Sequence, residues 1–422
     1  MIAIIGGGIS GLVLGHYLAE AGLEHVILEA SEVPGGVMRT LRVAGTALDL
    51  GPQRTRLVGE LGSLVEELGL APELLVAPPG LPLWVYRQGR LRKVPLTVMG
   101  ALSTDLLSWR GKLSMLREPF TAGPGGDESV ADFFTRKFGS EAYRAFLGPL
   151  YGGLYASDPA RMKARHGLAI TLRELGVEGS LLLAALGRGL RAREEIPTVS
   201  FREGLGALPE ALARRAGERL RLGTPVLALE ARGAGHLVHL GGRAEGEVIE
   251  ARRVVLSLPA PQASALLAAS APEAAARIGR LRLNRIAVVH LRATCELWGY
   301  GYQVAFGEAL ETRGVTWNAS IFGRDGVHTA YLGGMKNPPL VDWEDERLAE
   351  LAASEFRQAT GCSAEQLLVS RTWIPAWDES WDALSGLELP EGVHACVNWS
   401  ARPGIPGRVA QARRLAHHLA EV

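Results

Sequence analysis

The chain has 422 residues, which is long enough for more than one domain of roughly 100 to 200 residues. Its 45 basic and 45 acidic side chains give a formal net charge of zero, so no overall attraction draws it to nucleic acid, and we expect no nucleic-acid partner. The three cysteines, Cys295, Cys362 and Cys396, are far apart and lack metal-ligand spacing, which argues against a disulfide framework and against a zinc site.

The N-terminal segment has the order of elements that is typical of a dinucleotide-binding unit. Ile2 to Ile5 form a uniformly apolar run, as in a strand that is buried on both faces of a parallel sheet. A glycine-rich turn from Gly6 to Gly11 follows, and apolar residues then recur at helical spacing up to Gly22. His25 to Leu28 predict a second strand, which ends at Glu29. This succession of strand, GxGxxG turn, helix, strand and acidic residue predicts a Rossmann unit.

The glycines of this turn have distinct physical tasks. Gly6 permits the sharp turn, Gly8 lets a pyrophosphate approach the backbone, and Gly11 lets the helix pack closely on the strand. The start of the helix offers unpaired N–H groups to phosphates, and Glu29 would accept hydrogen bonds from the adenosine ribose. The candidate cofactor-binding residues of this unit are Gly6, Gly8, Ile9, Ser10, Gly11, Glu29 and Ala30.

A second glycine pair, Gly35-Gly36, follows the acidic residue and favours a flavin over a nicotinamide cofactor. Its N–H groups can bind the phosphate on the flavin side, and Arg39 can add a fixed positive charge. A simple NAD domain does not need this element, and the alternative is a surface loop with an exposed arginine. Together with Gly51 and Pro52, these residues predict that the cofactor is FAD.

The tandem motifs resemble those of the flavin amine oxidase superfamily and, within it, the protoporphyrinogen oxidase family, which also includes bacterial coproporphyrinogen oxidases. The likeness continues through Asp49-Leu50-Gly51-Pro52, the run from Pro149 to Ala156, Thr224-Pro225-Val226 and the segment from Asn398 to Gln411. The resemblance implies that the backbone of Val226 contacts the adenine side of FAD and that the C-terminal segment closes over the flavin. The residues implied in that segment are Asn398, Ile405 and Pro406.

The resemblance also implies an α/β fold in which a Rossmann-type FAD-binding domain is interleaved with a substrate-binding α+β domain and a helical, membrane-binding-like domain. The implied FAD-binding stretches are residues 1–78, 191–262 and 386–422. The remaining stretches are residues 79–190, a helical domain that lines substrate access, and residues 263–385, the substrate-binding domain. The local patterns that agree are strands around Ile286–Leu291 and Thr329–Leu332 and a final helix from Arg408 to Ala420.

The activity that the resemblance implies is oxidation of a porphyrinogen, protoporphyrinogen IX or coproporphyrinogen III, to the porphyrin in heme biosynthesis. Six electrons would leave in three rounds, with molecular oxygen as acceptor and hydrogen peroxide as by-product. We expect the flavin to perform the chemistry, with no metal and no catalytic side chain. Gly153 matches a position whose backbone carbonyl orients the macrocycle, and a helix-breaking glycine is the alternative. The rival functions are a flavin amine oxidase, with Lys336 as its available lysine, a carotenoid-type desaturase, and a non-catalytic flavoprotein that binds a tetrapyrrole or a partner protein.

The resemblance does not identify the cation that binds the substrate carboxylates. Plant and animal members have an arginine where this chain has Leu83, and the candidates that remain are Arg54, Arg56, Arg90, Arg92 and Lys93. We expect a cytoplasmic protein, because the sequence leaves no room for a signal peptide and its apolar stretches are far shorter than the ~20 residues that span a bilayer. A peripheral membrane contact, a ferrochelatase-type partner and the oligomeric state remain open.

Overall fold

The computed structural model describes residues 1–174, 176–177, 179–190 and 196–421. Its strands, in chain order, are β1 (Ile2–Ile5), β2 (His25–Leu28), β3 (Thr40–Val43), β4 (Thr46–Asp49), β5 (Thr55–Arg56), β6 (Leu74–Val76), β7 (Leu83–Arg87), β8 (Arg90–Lys93), β9 (Thr198–Phe201), β10 (Leu220–Arg221), β11 (Val226–Arg232), β12 (Gly235–Leu240), β13 (Val248–Ala251), β14 (Arg253–Leu256), β15 (Leu283–Arg292), β16 (Gly301–Val304), β17 (Gly314–Thr316), β18 (Val327–Gly333), β19 (Glu365–Pro375) and β20 (Val393–Ala395). Its α-helices are α1 (Ile9–Glu20), α2 (Glu60–Glu67), α3 (Val98–Ser103), α4 (Trp109–Met115), α5 (Val130–Phe138), α6 (Ser140–Ala142), α7 (Gly148–Tyr155), α8 (Leu168–Glu174), α9 (Leu181–Leu190), α10 (Ala207–Ala216), α11 (Ala260–Leu267), α12 (Pro272–Gly279), α13 (Asn318–Phe322), α14 (Asp345–Thr360) and α15 (Ile405–Glu421). The predicted start of the second FAD-binding stretch, residues 191–195, lies outside the described residues.

A five-stranded parallel sheet forms the nucleotide-binding half. Its strand order is β10-β2-β1-β14-β20, and every neighbouring pair is parallel. The uninterrupted apolar runs of β1 and β2 are completely buried, as predicted. Helix α1 packs between this sheet and α15, and α2 and α10 share the same apolar core. The strands come from separated stretches of chain, so the predicted interleaved Rossmann-type fold is confirmed, while the domain boundaries remain predictions.

A seven-stranded mixed sheet forms the other half, with strand order β19-β15-β18-β17-β16-β7-β8. The predicted strands around Ile286–Leu291 and Thr329–Leu332 are confirmed as β15 and β18. Because side chains alternate along a strand, one face packs its apolar residues against α14. The opposite face, called the inner face below, carries Ile286, Val288, His290, Thr316, Thr329 and Tyr331.

The segment between the two sheets is mostly helical, from α3 to α9. It begins later than the prediction for residues 79–190, because β7 and β8 pair into the seven-stranded sheet. Within it, Lys137 and Glu118 form a fully buried ion pair, with 2.9 Å between Nζ and Oε1. Glu118 also accepts hydrogen bonds from the backbone of Leu181 and Leu182, so the pair joins α5 to the start of α9. No described helix combines the length and apolarity needed to cross a membrane.

The prediction that the cysteines form no disulfide is wrong for one pair. Cys295 and Cys362 are joined, with their Cα atoms 6.2 Å apart, and Cys396 is free and buried. Cys295 follows β15 and Cys362 follows α14. Because α14 covers the sheet that contains β15, the two cysteines meet across 67 residues of sequence. Spacing alone could not show this contact, since it arises only after the helix packs on the sheet.

Candidate functional site

The glycine-rich turn after β1 has the geometry that its sequence predicts. Gly6 has a φ of +113°, and a Cβ there would lie 2.5 Å from the carbonyl oxygen of Ser257. A Cβ on Gly11 would collide with the carbonyl oxygen of Gly6 and crowd Ile4. These two glycines are therefore required by the protein itself, for the turn and for close packing of α1 on β1.

Gly8 is different, because no protein atom lies within 4 Å of a Cβ built on it. Its open side faces the start of α1, where Gly8 is the N-cap and no side chain caps the helix. A helix N-terminus with free N–H groups and a bare backbone beside it is suited to an anionic group such as a pyrophosphate. The structure thus leaves room for the ligand that the motif predicts.

The second glycine pair lies directly against the first turn. Gly35 donates from its N–H to the carbonyl of Gly7 at 2.8 Å, and a Cβ on Gly36 would stand 3.5 Å from the Cα of Gly8. A Cβ on Gly51 would collide with the carbonyl of Val37, which brings the third motif to the same place. We call this group of glycine-rich turns the cradle. The side chain of Arg39 is exposed at its edge and has no ion-pair partner among the described residues.

Glu29 stands at the end of β2 and is positioned by the cradle. Its Oε2 accepts a hydrogen bond from the N–H of Gly7 at 2.6 Å, and its Oε1 accepts two from Ser31 at 2.8 Å. The backbone of Thr224 donates to the carbonyl of Glu29 at 2.8 Å, so the following residue pair, Pro225-Val226, lies beside the acid. Carboxylate oxygens have further lone pairs, which could accept from ribose hydroxyls. Ala30, next in the chain, is exposed.

The C-terminal segment closes the cradle from the other side. The thiol of Cys396 lies 3.9 Å from the carbonyl of Ser10, and α15 begins at Ile405-Pro406, so the predicted final helix is confirmed with an earlier start. The Oδ1 of Asn398 is buried without a hydrogen-bond partner among the described residues.

Arg408, in the first turns of α15, is a buried cation beside Cys396. Its Nη1 has no partner, no carboxylate in the described chain pairs with it, and burial lowers its pKa to about 10. Its side chain is nevertheless partly accessible, as expected of a group that lines an internal cavity. Unpaired buried polar groups are unusual in folded proteins. The orphaned groups of Asn398 and Arg408, together with the bare backbone at Gly8, fit a large polar anionic cofactor such as FAD.

The cradle reaches the inner face through one loop that continues from Gly51-Pro52. Gln53 donates to the backbone carbonyls of Asp49 and Gly51 at 2.7 and 3.0 Å. Its Oε1 accepts from Asn318 at 3.0 Å and from Thr329 at 3.2 Å. The loop therefore joins the nucleotide-binding half to strand β18 of the other half. A ligand of the cradle and a ligand of the inner face would meet beside it.

The last turn of α7 lies at the opposite end of the inner face. Ala156 packs on Ile286 and Val288, and a Cβ on Gly153 would collide with the side chain of Gln303. If the helix continued, the backbone N–H of Ser157 would donate a hydrogen bond to the carbonyl of Gly153. It donates to the carbonyl of Gly152 instead, at 3.0 Å. Among the described residues, no donor reaches the Gly153 carbonyl. Gly153 thus lies inside the helix rather than breaking it, and its carbonyl is a free acceptor.

The candidate carboxylate-binding cations occupy different environments. Arg90 and Arg92 both bind Asp105, at 2.9 and 3.0 Å, and Arg56 and Lys93 are exposed. Arg54 alone reaches the inner face, where it donates to Thr316 at 3.4 Å. Lys336, the lysine available to an amine oxidase, donates to the carbonyl of Leu310, and burial lowers its pKa.

Sequence reasoning missed the ion pair that holds the two halves together. Asp49 and Arg324 are both buried, with 2.9 Å between Oδ2 and Nη1. Asp49 also accepts from Thr40 and from the backbone of Leu205, at 2.6 and 2.7 Å, and Arg324 donates to Ser200 at 3.0 Å. Asp49 was part of a recognised motif, but its partner lies 275 residues away in no motif.

The family described as flavin containing amine oxidoreductase matches residues 9–389. The chain is 28% identical to protoporphyrinogen oxidase 1, chloroplastic, of Spinacia oleracea, over 88% of this chain and 74% of that protein. It is 29% identical to coproporphyrinogen III oxidase of Mycobacterium leprae (strain TN), over 76% of this chain and 74% of that protein.

Solved structures with a similar fold cover the whole chain. A protein from Exiguobacterium sp. 255-15 has a TM-score of 0.81 at 21% identity and covers 100% of this chain and 98% of its own. Cyclohexylamine oxidase from Brevibacterium oxydans IH-35A has a TM-score of 0.73 at 16% identity, over 100% and 98% of the two chains. These likenesses concern the fold, which proteins of different substrate preference share.

Proposed function

The chain belongs to the family of flavin containing amine oxidoreductases and is an FAD-dependent oxidoreductase, and from this premise we propose that it oxidises a porphyrinogen, protoporphyrinogen IX or coproporphyrinogen III, to the porphyrin. The observation that carries the proposal is the free carbonyl of Gly153, about one turn before Ala156, which packs on the apolar residues Ile286 and Val288 of the inner face. A porphyrinogen presents inward-pointing pyrrole N–H donors within an apolar ring, and this arrangement complements both features. The relatives named as porphyrinogen oxidases support the same substrate class.

The cradle supplies the proposed FAD site. The residues that would hold FAD are Gly6, Gly8, Ile9, Ser10, Gly11, Glu29, Ala30, Gly35, Gly36, Gly51, Pro52, Val226, Asn398, Ile405 and Pro406, with Arg39 at the edge and Arg408 beneath. When bound, FAD supplies a two-electron acceptor that molecular oxygen can reoxidise, with hydrogen peroxide as the product. The protein contributes binding, orientation and exclusion of water.

The proposed reaction needs few catalytic side chains. Loss of a hydride from a methylene bridge leaves a cation that the adjacent pyrrole stabilises, and the pyrrole N–H proton can then leave without a strong base. The Gly153 carbonyl would orient these N–H groups by accepting their hydrogen bonds. Three such rounds remove three hydrides and three protons, which together with three molecules of oxygen give three of hydrogen peroxide. Burial lowers the pKa of His290 to about 4, so its imidazole is a weak base, and a reaction that needs no strong base suits the described part of the inner face.

The amine oxidase alternative is less well supported. Lys336 is engaged by the Leu310 carbonyl, and the cation that reaches the inner face, Arg54, would repel a protonated amine. The decisive experiment incubates the FAD-loaded protein under air with each porphyrinogen and, separately, with a panel of primary amines. We expect a fluorescent porphyrin and peroxide in a ratio near one to three. Peroxide from amines but none from porphyrinogens would favour the amine oxidase, and flavin that no substrate reduces would favour a non-catalytic flavoprotein.

We also propose that the helical segment contacts a membrane surface. Apolar side chains on α4 and in the following turn are exposed, including Trp109 at 76% and Phe120 at 90%, and Arg110 and Arg117 lie among them. Exposed apolar residues interspersed with cations are typical of peripheral membrane sites. Sedimentation with anionic phospholipid vesicles tests this: Trp109→Ser and Phe120→Ser should weaken binding, whereas Trp298→Ser, an exposed tryptophan elsewhere, should not. Equal binding by all three variants would contradict the proposal. The cytoplasmic location and the ferrochelatase-type partner remain predictions.

A further inference from the structure

Arg54 is a buried positive charge that has no carboxylate partner in the described chain. Its Nη1 donates to the hydroxyl of Thr316 at 3.4 Å, and its guanidinium lies 5.3 Å from the centre of the Tyr300 ring. Both neighbours are neutral. The hydroxyl of Tyr331 lies 3.4 Å from the same Thr316 oxygen, so hydroxyl groups surround the cation on the inner face. The side chain is partly accessible although protein atoms enclose it, so a ligand on the inner face could reach it.

A buried charge without a partner is costly, and apart from Arg408 the other enclosed arginines described above have partners within the chain. Arg324 is paired with Asp49, and Arg92 is paired with Asp105. Arg313, which is half-buried, donates to two backbone carbonyls at 3.2 Å. Arg54 has only one long hydrogen bond and an aromatic ring, and the charge nearest to it in its own loop is Arg56, of the same sign. An anion from outside the chain would therefore complete its coordination.

We propose that Arg54 binds a propionate carboxylate of the substrate and thereby sets which edge of the macrocycle lies toward Arg54 on the inner face. The proposal rests on the proposed porphyrinogen function. The propionates are the only charged groups of a porphyrinogen, and a guanidinium can bind a carboxylate through two parallel hydrogen bonds. Thr316 and Tyr331 offer further hydroxyl donors beside it. A cofactor phosphate is the competing anion. Arg54, however, contacts the seven-stranded sheet rather than the cradle, through Thr316 in β17 and Tyr300 just before β16.

The experiment separates the charge of the ligand from its shape. FAD-loaded wild-type protein is titrated with a porphyrin dicarboxylic acid and with its dimethyl ester, and binding is followed by quenching of porphyrin fluorescence. We expect the acid to bind the wild type about tenfold more tightly than the ester, the size of one charged hydrogen-bonded contact. Arg54→Gln should bring this ratio close to one. Arg54→Lys should retain part of it, because the charge remains while the two-pronged geometry is lost.

Arg56→Gln is the matched control, because Arg56 belongs to the same loop but its side chain is exposed. It should keep the wild-type ratio, and flavin absorbance and thermal unfolding should show that each variant is folded and loaded. An acid-to-ester ratio in Arg54→Gln equal to that of the wild type would overturn the proposal. So would a loss of FAD affinity in place of a change in the ratio, because the anion would then be the cofactor. Failure of the proposed function itself looks different, since an amine oxidase would bind neither porphyrin and a non-catalytic flavoprotein would leave the porphyrinogen unoxidised in the assay described above.

Discussion

The cradle and the inner face are both ligand-binding surfaces, yet they are built in different ways. The cradle consists of backbone turns in which a Cβ on Gly6, Gly11 or Gly51 would strike another backbone carbonyl. The inner face consists of side chains from β15, β17 and β18, and Gln53 and Arg54 reach it from the loop that continues the cradle. Backbone recognition restricts the residue type at each position and leaves a motif, whereas side-chain recognition can be assembled from many places. Single substitutions in the cradle should therefore cause large losses of stability or FAD binding, whereas single substitutions on the inner face should cause smaller ones.

The largest expected effect comes from Gly11→Val. Its side chain would collide with the Gly6 carbonyl, which cannot move without opening the turn, so we expect a loss of about 5 kcal/mol or more in the free energy of unfolding, together with loss of bound flavin. Gly8→Ala is the matched control, because its Cβ meets no protein atom. It should fold normally and yet bind FAD more weakly. Denaturant unfolding and flavin absorbance measure the two effects, and identical behaviour of both variants would show that Gly8 and Gly11 do not have different roles.

Arg324→Met tests the connection between the two regions. It would leave the Asp49 carboxylate buried without its cation, and such a loss typically costs about 3 to 5 kcal/mol. Urea unfolding of the variant measures this value. The double variant Asp49→Asn with Arg324→Met should recover part of the loss, because no buried charge then remains. A double variant less stable than Arg324→Met would show that hydrogen bonds, rather than the charge pair, join the halves.

Arg408→Met tests the cofactor side by itself. We expect the affinity for FAD to fall about tenfold, since one charged contact is lost, while the apoprotein is no less stable because an unpaired buried charge is removed. Equilibrium dialysis with FAD and unfolding of the apoprotein give the two values. Arg414→Met, on an exposed position of the same helix, should change neither. Unchanged FAD affinity in Arg408→Met would show that Arg408 does not contribute to FAD binding.

The sheet behind the inner face should make stability depend on pH. Burial lowers the pKa of His328 to about 4 from 6.5, so the unfolded chain takes up a proton that the folded chain refuses. The contribution of the neutral His328 to the free energy of unfolding is therefore fully present above pH 6.5. Between pH 6.5 and about 4, the free energy of unfolding falls by on the order of 1 kcal/mol for each pH unit. His328→Phe, against the ring of Phe356, should flatten this fall in a series of melting curves. His239→Phe, at a more exposed histidine, should leave the slope unchanged.

The smallest effect is expected at the substrate end of the inner face. Gly153→Ala would press only on the flexible end of Gln303, so the free energy of unfolding should change by less than about 1 kcal/mol. If the carbonyl orients the substrate, the displaced Gln303 amide beside it should crowd the bound ring, and KM for the porphyrinogen should rise a few-fold with FAD content unchanged. Steady-state kinetics with the better porphyrinogen measures it. An unaltered KM would remove Gly153 from substrate orientation.

The sequence predicted the cradle well and the inner face only in outline. The glycine positions, Glu29 and the flanking strands were readable because each requirement is local to a turn or a strand. The strands β15 and β18 were also predicted, but the partners of Arg54 and Asp49 were not, since Thr316 and Arg324 come close only through the sheet. The Cys295–Cys362 disulfide was missed for the same reason. Patterns along a chain record local geometry and carry little information on contacts between distant side chains.

The position of β1 in the parallel sheet has a consequence for how the protein is made. This first strand lies between β2 and β14, β20 completes the sheet, and α15 packs against α1. On the ribosome, the phosphate-binding turn and β2 emerge early, but β14 follows more than 200 residues later and the closing helix α15 only when nearly the whole chain has been translated. A nascent chain therefore carries the recognisable motif long before it carries a functional pocket, and FAD loading must be a late event in its biogenesis.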